Sequence, residues 1–228
     1  MPISRLPIGC PSLDDLLGGG IEYSSMTSVF GPAGVGKTCF AIQATVNCIR
    51  GGRKVLYVDT EGGFSPERFE QIFHGSATRD VILIEPKTFN EQEDAVMGIG
   101  QMINDDIGLI VLDSLVTLYR LEMTKDTHHD VNRRLALQLS ELSKISRERN
   151  IPVIITNQVY EDIEKRELEL VSRDVVKYWA KCLLELRRTG KGKRAATIRK
   201  HRSRPEGEEA EFSITQNGIE DAKIGIFG

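Results

Sequence analysis

Apolar residues along this chain follow two spacings, and their alternation predicts a strand–helix repeat. Short, nearly continuous apolar runs end in a turn or a polar residue: Met26-Thr27-Ser28-Val29-Phe30, Lys54-Val55-Leu56-Tyr57-Val58-Asp59, Val81 to Ile84, Leu109-Ile110-Val111-Leu112-Asp113 and Ile151 to Thr156. Such runs predict strands buried on both faces in a parallel sheet. Between them the spacing lengthens to three and four residues. Lys37 to about Arg50 reads as one helix, and Val131, Leu135, Leu139, Leu142 and Ile145 fall on one face of another. Ser12 is the expected N-cap of a short helix carrying Leu13, Leu16 and Leu17, which Gly18-Gly19-Gly20 ends. Ser65 caps a helix with Pro66 at its first position, and Asn90 opens one with Glu93 completing a capping box.

After residue 180 the pattern shortens. Leu183-Leu184-Glu185-Leu186, Ala195 to Ile198 and Phe212-Ser213-Ile214 are separated by turns at Gly190 and Gly192 and at Arg204-Pro205-Glu206-Gly207, with a further turn at Asn217-Gly218. These predict antiparallel strands added to the parallel sheet. Residues 159–176 read as a mobile loop. The expected fold is α/β: a doubly wound, mostly parallel sheet with C-terminal antiparallel strands, in a single domain over residues 1–228. Its ligand belongs beyond the carboxyl ends of the strands.

One of those strand ends carries recognisable chemistry. Gly31-Pro32-Ala33-Gly34-Val35-Gly36-Lys37-Thr38 fits G-x-x-x-x-G-K-[ST], the phosphate-binding P-loop. Glycines let successive N–H groups turn inward on phosphate oxygens, and the following helix points its positive end at the same anion. Lys37 adds a point charge, and Thr38 offers a hydroxyl to Mg²⁺. The order strand, loop, helix separates this match from an accidental glycine turn. Asp113, closing an aliphatic strand, is the expected acid facing the Mg²⁺ water shell. The implied cofactors are ATP and Mg²⁺.

Bulk composition narrows the class without naming a function. At 228 residues, 40% hydrophobic and 28% charged, the chain suits a globular domain. No apolar run approaches the roughly 18 residues of a membrane span, and no signal-peptide core opens the chain, so a cytoplasmic, non-membrane protein is expected. Cys10, Cys39, Cys48 and Cys182 lack metal spacing and read as reduced core thiols, while His74, His128, His129 and His201 read as surface residues. The net charge of −3 hides an asymmetry. Arg187, Arg188, Lys191, Lys193, Arg194, Arg199, Lys200, Arg202 and Arg204 form a basic run preceded by acidic Glu161, Asp162, Glu164, Glu167 and Glu169.

Several longer stretches resemble the RecA/RadA recombinases. These are Leu13-Asp14 with Leu16-Leu17-Gly18-Gly19-Gly20, Asp59-Thr60-Glu61-Gly62-Gly63-Phe64-Ser65-Pro66-Glu67-Arg68, Tyr119-Arg120, and Ile155-Thr156-Asn157-Gln158-Val159. The resemblance covers about Ile8 to Asp221. Because the P-loop lies near the start, the expectation is a bare core without the N-terminal DNA-binding domain, similar to the RadB family of recombinase paralogues. That resemblance implies a DNA-binding accessory to homologous recombination and repair. It implies weak ATPase activity, no strand exchange by itself, and work beside a RadA-type recombinase and a Holliday-junction resolvase.

The resemblance also assigns roles, each beside a plainer alternative. Glu61 matches the general base orienting the attacking water, or is a strand-end acid bonding backbone. Gln158 matches the γ-phosphate sensor, or is a polar strand-end residue. Arg68 matches an arginine stacked on adenine, or is a helix-surface arginine. The segment around Lys200-His201-Arg202 resembles instead the K-x-R hairpin of KaiC and DnaB-type ATPases, so Lys200 and Arg202 are candidate fingers reaching a neighbouring subunit's nucleotide in a homo-oligomer. DNA contact and a solvated face stay open for them. Residues 159–176 stand where recombinases place their second DNA loop, yet begin acidic. Single-stranded or branched DNA is therefore expected on Arg187, Arg188, Lys191, Lys193 and Arg194. A KaiC-like signalling ATPase acting on protein partners is the alternative.

Overall fold

A computed structural model describes residues 4–124, 126–162, 167–170 and 173–222, with backbone alone for 160–162, 167–170 and 173–174. Its centre is a ten-stranded sheet with path order β12-β11-β10-β9-β3-β7-β6-β4-β5, and β8 pairing with β7 off that path. The parallel part comprises β3 (Met26–Gly31), β4 (Lys54–Asp59), β5 (Val81–Ile84), β6 (Ile107–Asp113), β7 (Val153–Asp162) and β9 (Cys182–Arg188). Antiparallel β10 (Lys193–Lys200), β11 (Glu209–Thr215) and β12 (Gly218–Asp221) extend it past β9. A separate two-stranded ribbon pairs β1 (Arg5–Leu6) with β2 (Ile21–Glu22).

Helices cover both faces. The first face carries α1 (Pro11–Leu16), α2 (Lys37–Arg50) and α3 (Pro66–Phe73). There Phe40, Ala44, Tyr57, Phe69, Ile154, Leu184 and Phe212 form one buried core. The second carries α4 (Phe89–Met102), α5 (Thr117–Glu122), α6 (His128–Arg149) and α7 (Arg173–Trp179). Phe30, Leu56, Val58, Leu112, Leu135, Ile155 and Val176 fill the core on that side. Adjacent residues such as Ile154 and Ile155 divide between the two cores because side chains alternate across a strand. All seven residues of β6 are buried, which is why this strand reads as a continuous apolar run.

The structure corrects three local expectations. Cys10, not Ser12, occupies the N-cap of α1, with Pro11 at its first position. Ser12 instead donates its hydroxyl to Glu211 O at 3.2 Å and its N–H to Asp221 Oδ1 at 2.9 Å, tying α1 to the antiparallel strands. Helix α4 is capped by Thr88, whose hydroxyl accepts from Glu91 N, while the Glu91 carboxylate accepts from Lys87 N. Thr88 and Glu91 carry the spacing of a capping box, and Asn90 and Glu93 are free to accept from Arg134 at 2.6 Å each. Finally, much of 159–176 is regular. Strand β7 continues to Asp162 and pairs with β8 (Glu167–Leu170), and α7 begins at Arg173. The alternation Glu167-Leu168-Glu169-Leu170 is a strand pattern overlooked beside the acidic charges. Residues 163–166 and 171–172 of that stretch lie outside the described residues.

Candidate nucleotide site

The carboxyl ends of β3, β4, β6 and β7 converge on one cleft. Ala33, Gly34, Gly36, Lys37, Thr38, Glu61, Asp113 and Gln158 line it. The parallel register explains the meeting. Asp59 lies level with Asp113 across β4 and β6, and Gly31 level with Gln158 across β3 and β7.

The P-loop leaves β3 through Gly31 at φ 154 and enters α2 through Gly36, its N-cap, at φ 109. A side chain at Gly31 would collide with Leu186 O of β9. Lys37 folds back across the loop, and its Nζ donates to Gly31 O and Pro32 O at 2.9 Å each. Burial lowers its pKa, with Glu61 and Asp113 opposing the shift. A partly desolvated ammonium whose hydrogen-bond acceptors are two backbone carbonyls suits an anionic ligand.

Asp113 is buried, and that burial raises its pKa, against the pull of the Thr156, Thr38 and Tyr57 hydroxyls. Tyr57 donates to its Oδ2 at 2.9 Å, and Thr156 donates to its Oδ1. A cation beside Thr38 and Asp113 would relieve this carboxylate. No cluster of three or more metal-ligating side chains occurs among the described residues, and a Mg²⁺ ion at Thr38 and Asp113 would take its other ligands from phosphate and water.

Glu61 stands on a loop that Asp59 holds. The buried Asp59 carboxylate accepts N–H bonds from Glu61 and Gly63 at 3.1 Å and from Phe64 at 2.8 Å. Glu61 Oε1 then accepts from Ser114 Oγ at 2.6 Å, Thr117 Oγ1 at 2.6 Å and Gln158 Nε2 at 2.9 Å. Burial works to raise the Glu61 pKa, but these three donors and Lys37 outweigh it and leave the carboxyl below its ordinary value. One oxygen is saturated, and Oε2 has no such bond. Neither Ser114 nor Thr117 was singled out from sequence. The signal was present, because both follow Asp113 in the residues where a β6 strand must turn into α5.

Other predicted site residues lie elsewhere. Arg68 donates to Thr215 O at 2.6 Å, Gln216 O at 2.9 Å and Gln71 Oε1 at 2.5 Å, bridging α3 to the β11–β12 turn outside the cleft lining. Lys200 Nζ donates to Lys177 O at 2.5 Å and Ala180 O at 2.8 Å, capping the end of α7. Arg202 grips buried Glu22 at 2.9 and 2.6 Å. Neither residue enters the cleft of its own chain. The basic run divides as well. Arg187 pairs with Glu209 at 2.6 Å, Arg188 and Arg194 turn onto the P-loop, and Lys191 and Lys193 are exposed.

The Rad51 family model matches residues 2–222. The chain belongs to the Rad51 family. Within it the similarity is to RadB proteins. The chain is 40% identical over 219 residues to the DNA repair and recombination protein RadB of Methanococcoides burtonii, covering 94% of this chain and 97% of that one. It is 39% identical over 222 residues to the protein of the same name from Pyrococcus abyssi, covering 95% and 93%. A crystal structure of the RadB recombinase superposes with a TM-score of 0.83 at 38% identity, covering 96% of this chain and all of that one. This Rad51-family chain is therefore a RecA-like α/β fold in both sequence and structure. Among its described residues no helix is long and apolar enough to cross a membrane.

Proposed function

We propose that the chain is an ATP-binding, DNA-binding accessory protein of homologous recombination and DNA repair, with slow Mg²⁺-dependent hydrolysis and no strand exchange of its own. The observation that carries this reading is the convergence of Lys37, Thr38, Glu61, Asp113 and Gln158 on one cleft. Lys37 and the loop N–H groups bind the phosphates, while Thr38 and Asp113 hold Mg²⁺, which neutralises phosphate charge. Glu61 orients water through Oε2. Gln158 donates to Glu61 at 2.9 Å, so transfer of that N–H to a γ-phosphate oxygen changes the base and the β7–β8 hairpin together.

Absence of strand exchange is supported by the acidic start of residues 159–176, since phosphate contacts need Lys and Arg. DNA is assigned to the β9–β10 side, with Lys191 and Lys193 the exposed cations of its turn. A RadA-type recombinase and a Holliday-junction resolvase are the proposed partners, and ATP with Mg²⁺ the cofactors.

The test is Mg²⁺-dependent ATP hydrolysis with and without single-stranded DNA, with DNA anisotropy in the same samples. DNA binding that weakens steeply with salt, together with turnover below about one per minute, against the usual enzyme range of 1–10³ s⁻¹, supports the reading. Strong stimulation by DNA points instead to a filament-type ATPase. Ring assembly without DNA affinity points to the KaiC-like alternative.

A further inference from the structure

Arg188 and Arg194 stand opposite one another beside the turn of the β9–β10 hairpin, and both guanidinium groups turn onto the P-loop. Arg188 Nη2 donates to Gly34 O at 3.0 Å, and Arg194 Nε donates to Val35 O at 2.9 Å. Their position follows from topology. Strand β9 lies parallel to β3, so its carboxyl end arrives beside the loop that β3 feeds. Strand β10 returns antiparallel from there, in a register that sets Arg194 opposite Arg188.

The fit at this face is close. A Cβ on Gly34 would stand 2.9 Å from Arg188 Nη2. One on Gly36 would stand 2.5 Å from Ile214 Cδ1 of β11 and 3.7 Å from Arg194 Nε. Gly34 and Gly36 are thus fitted to side chains of β9 and β11 on the outside of the P-loop.

A trans peptide unit points its C=O and its N–H in opposite directions. The carbonyl of Gly34 shares its peptide unit with the N–H of Val35, and the carbonyl of Val35 shares its unit with the N–H of Gly36. A charged donor on each carbonyl therefore fixes those two units with the N–H groups facing away from β9 and β10. It also polarises them, because a hydrogen bond accepted at one end of a peptide strengthens the donor at the other.

We infer that Arg188 and Arg194 are positioning residues of the nucleotide cleft: they hold the outward carbonyls of Gly34 and Val35, so that the Val35 and Gly36 N–H groups are presented to phosphate. The inference rests on the nucleotide reading of the cleft. It gives both arginines a role besides DNA contact, since one N–H of each guanidinium is held by the loop.

The two arginines differ in a way that can be measured. Arg188 donates from the tip of its side chain, a place a lysine ammonium can approach. Arg194 donates from Nε, within the stem, where lysine has no donor. Arg188→Met, Arg194→Met, Arg188→Lys and Arg194→Lys are compared by titration with ATP and ADP in the absence of DNA, by steady-state hydrolysis, and by competition with inorganic pyrophosphate. A charge-assisted hydrogen bond lost from each loop carbonyl is expected to weaken ATP, ADP and pyrophosphate by about tenfold. KM is expected to rise while kcat at saturation stays within about twofold, the pattern of lost uniform binding. Arg188→Lys is expected to restore affinity, and Arg194→Lys to behave like Arg194→Met.

Wild-type affinity in both methionine variants overturns the inference and leaves the proposed function standing. So does a fall in kcat and melting temperature with KM unchanged, which marks a purely structural role. If Arg194→Met does not fold, Arg188→Met and Arg194→Lys decide by the same readings. A protein that binds ATP but not DNA overturns the DNA part of the proposed function and leaves this inference intact.

Discussion

The two halves of the sheet meet the P-loop with opposite chemistry. From the parallel half come carboxylates, and hydrogen-bond donors hold each one. Three backbone N–H groups hold Asp59, two hydroxyls and an amide hold Glu61, and the hydroxyls of Thr156, Thr38 and Tyr57 hold Asp113. From the β9–β10 hairpin, where parallel β9 gives way to antiparallel β10, come guanidinium groups, and backbone carbonyls hold two of them. Glu61 and Asp113 line the cleft and Asp59 holds the Glu61 loop, while the arginines brace the P-loop from outside the cleft. A block of like charge in a sequence is therefore not a block of free charge. Of the basic run, Arg187 is paired with Glu209, Lys200 caps a helix and Arg202 grips Glu22.

The largest expected effect tests whether the parallel half carries the chemistry. Glu61→Gln is expected to lower kcat about 1000-fold, the scale of a lost general base, with nucleotide affinity nearly unchanged. Normal turnover by that variant would remove Glu61 from the mechanism and dissolve the contrast. Next comes Asp59→Ala. It strands three N–H groups of the Glu61 loop, an expected loss of about 3 kcal/mol in unfolding free energy. For a chain of this size that is a fall of roughly 10 °C in melting temperature, read by calorimetry.

A smaller effect sharpens the picture of Glu61 itself. Its donors outweigh burial and hold its carboxyl below the ordinary value, so it stays ionised down to acid pH and hydrolysis has no acid limb from it near neutrality. Loss of one donor in Thr117→Val moves that pKa upward. The acid limb of the kcat profile is then expected at higher pH than in the wild type, with the rate at pH 8 little changed. A limb in the same place would show that the Thr117 bond does not act on the base.

The smallest effect belongs to the β9–β11 side of the sheet. Arg187 and Glu209 are 43% and 35% exposed, so water screens their pair. Arg187→Gln is expected to cost only about 0.5 kcal/mol. A loss as large as that of Asp59→Ala would mean that the two halves are not built differently after all.

Much of this architecture was legible one residue at a time. Strand β4 and helix α2 begin and end where the pattern placed them, because a strand buried on both faces and a helix following a P-loop leave strong local signals. Strand β7 was cut short at Thr156. Asn157 and Gln158 continue it beside β3, and residues 159–162 are held by pairing with β8, so its length is set by its partners. The cap of α4 was misplaced by two residues because Thr88 and Asn90 each stand three residues before an acid. Local spacing satisfies both, and packing chose Thr88 by giving Asn90 and Glu93 to Arg134 of α6.

By itself the sequence determined the glycine-rich loop between β3 and α2, the acids that close β4 and β6, and the division into parallel and antiparallel strands. Each depends on residues close in the chain, whose spacing sets which way a backbone turns or a side chain points. Only the tertiary structure decided what the charges do. Arg188 and Arg194 reach Gly34 and Val35 across more than one hundred and fifty residues, and Ser114 and Thr117 reach Glu61 across more than fifty. A hydrogen bond depends on distance in space, and the order of strands in the sheet creates these distances.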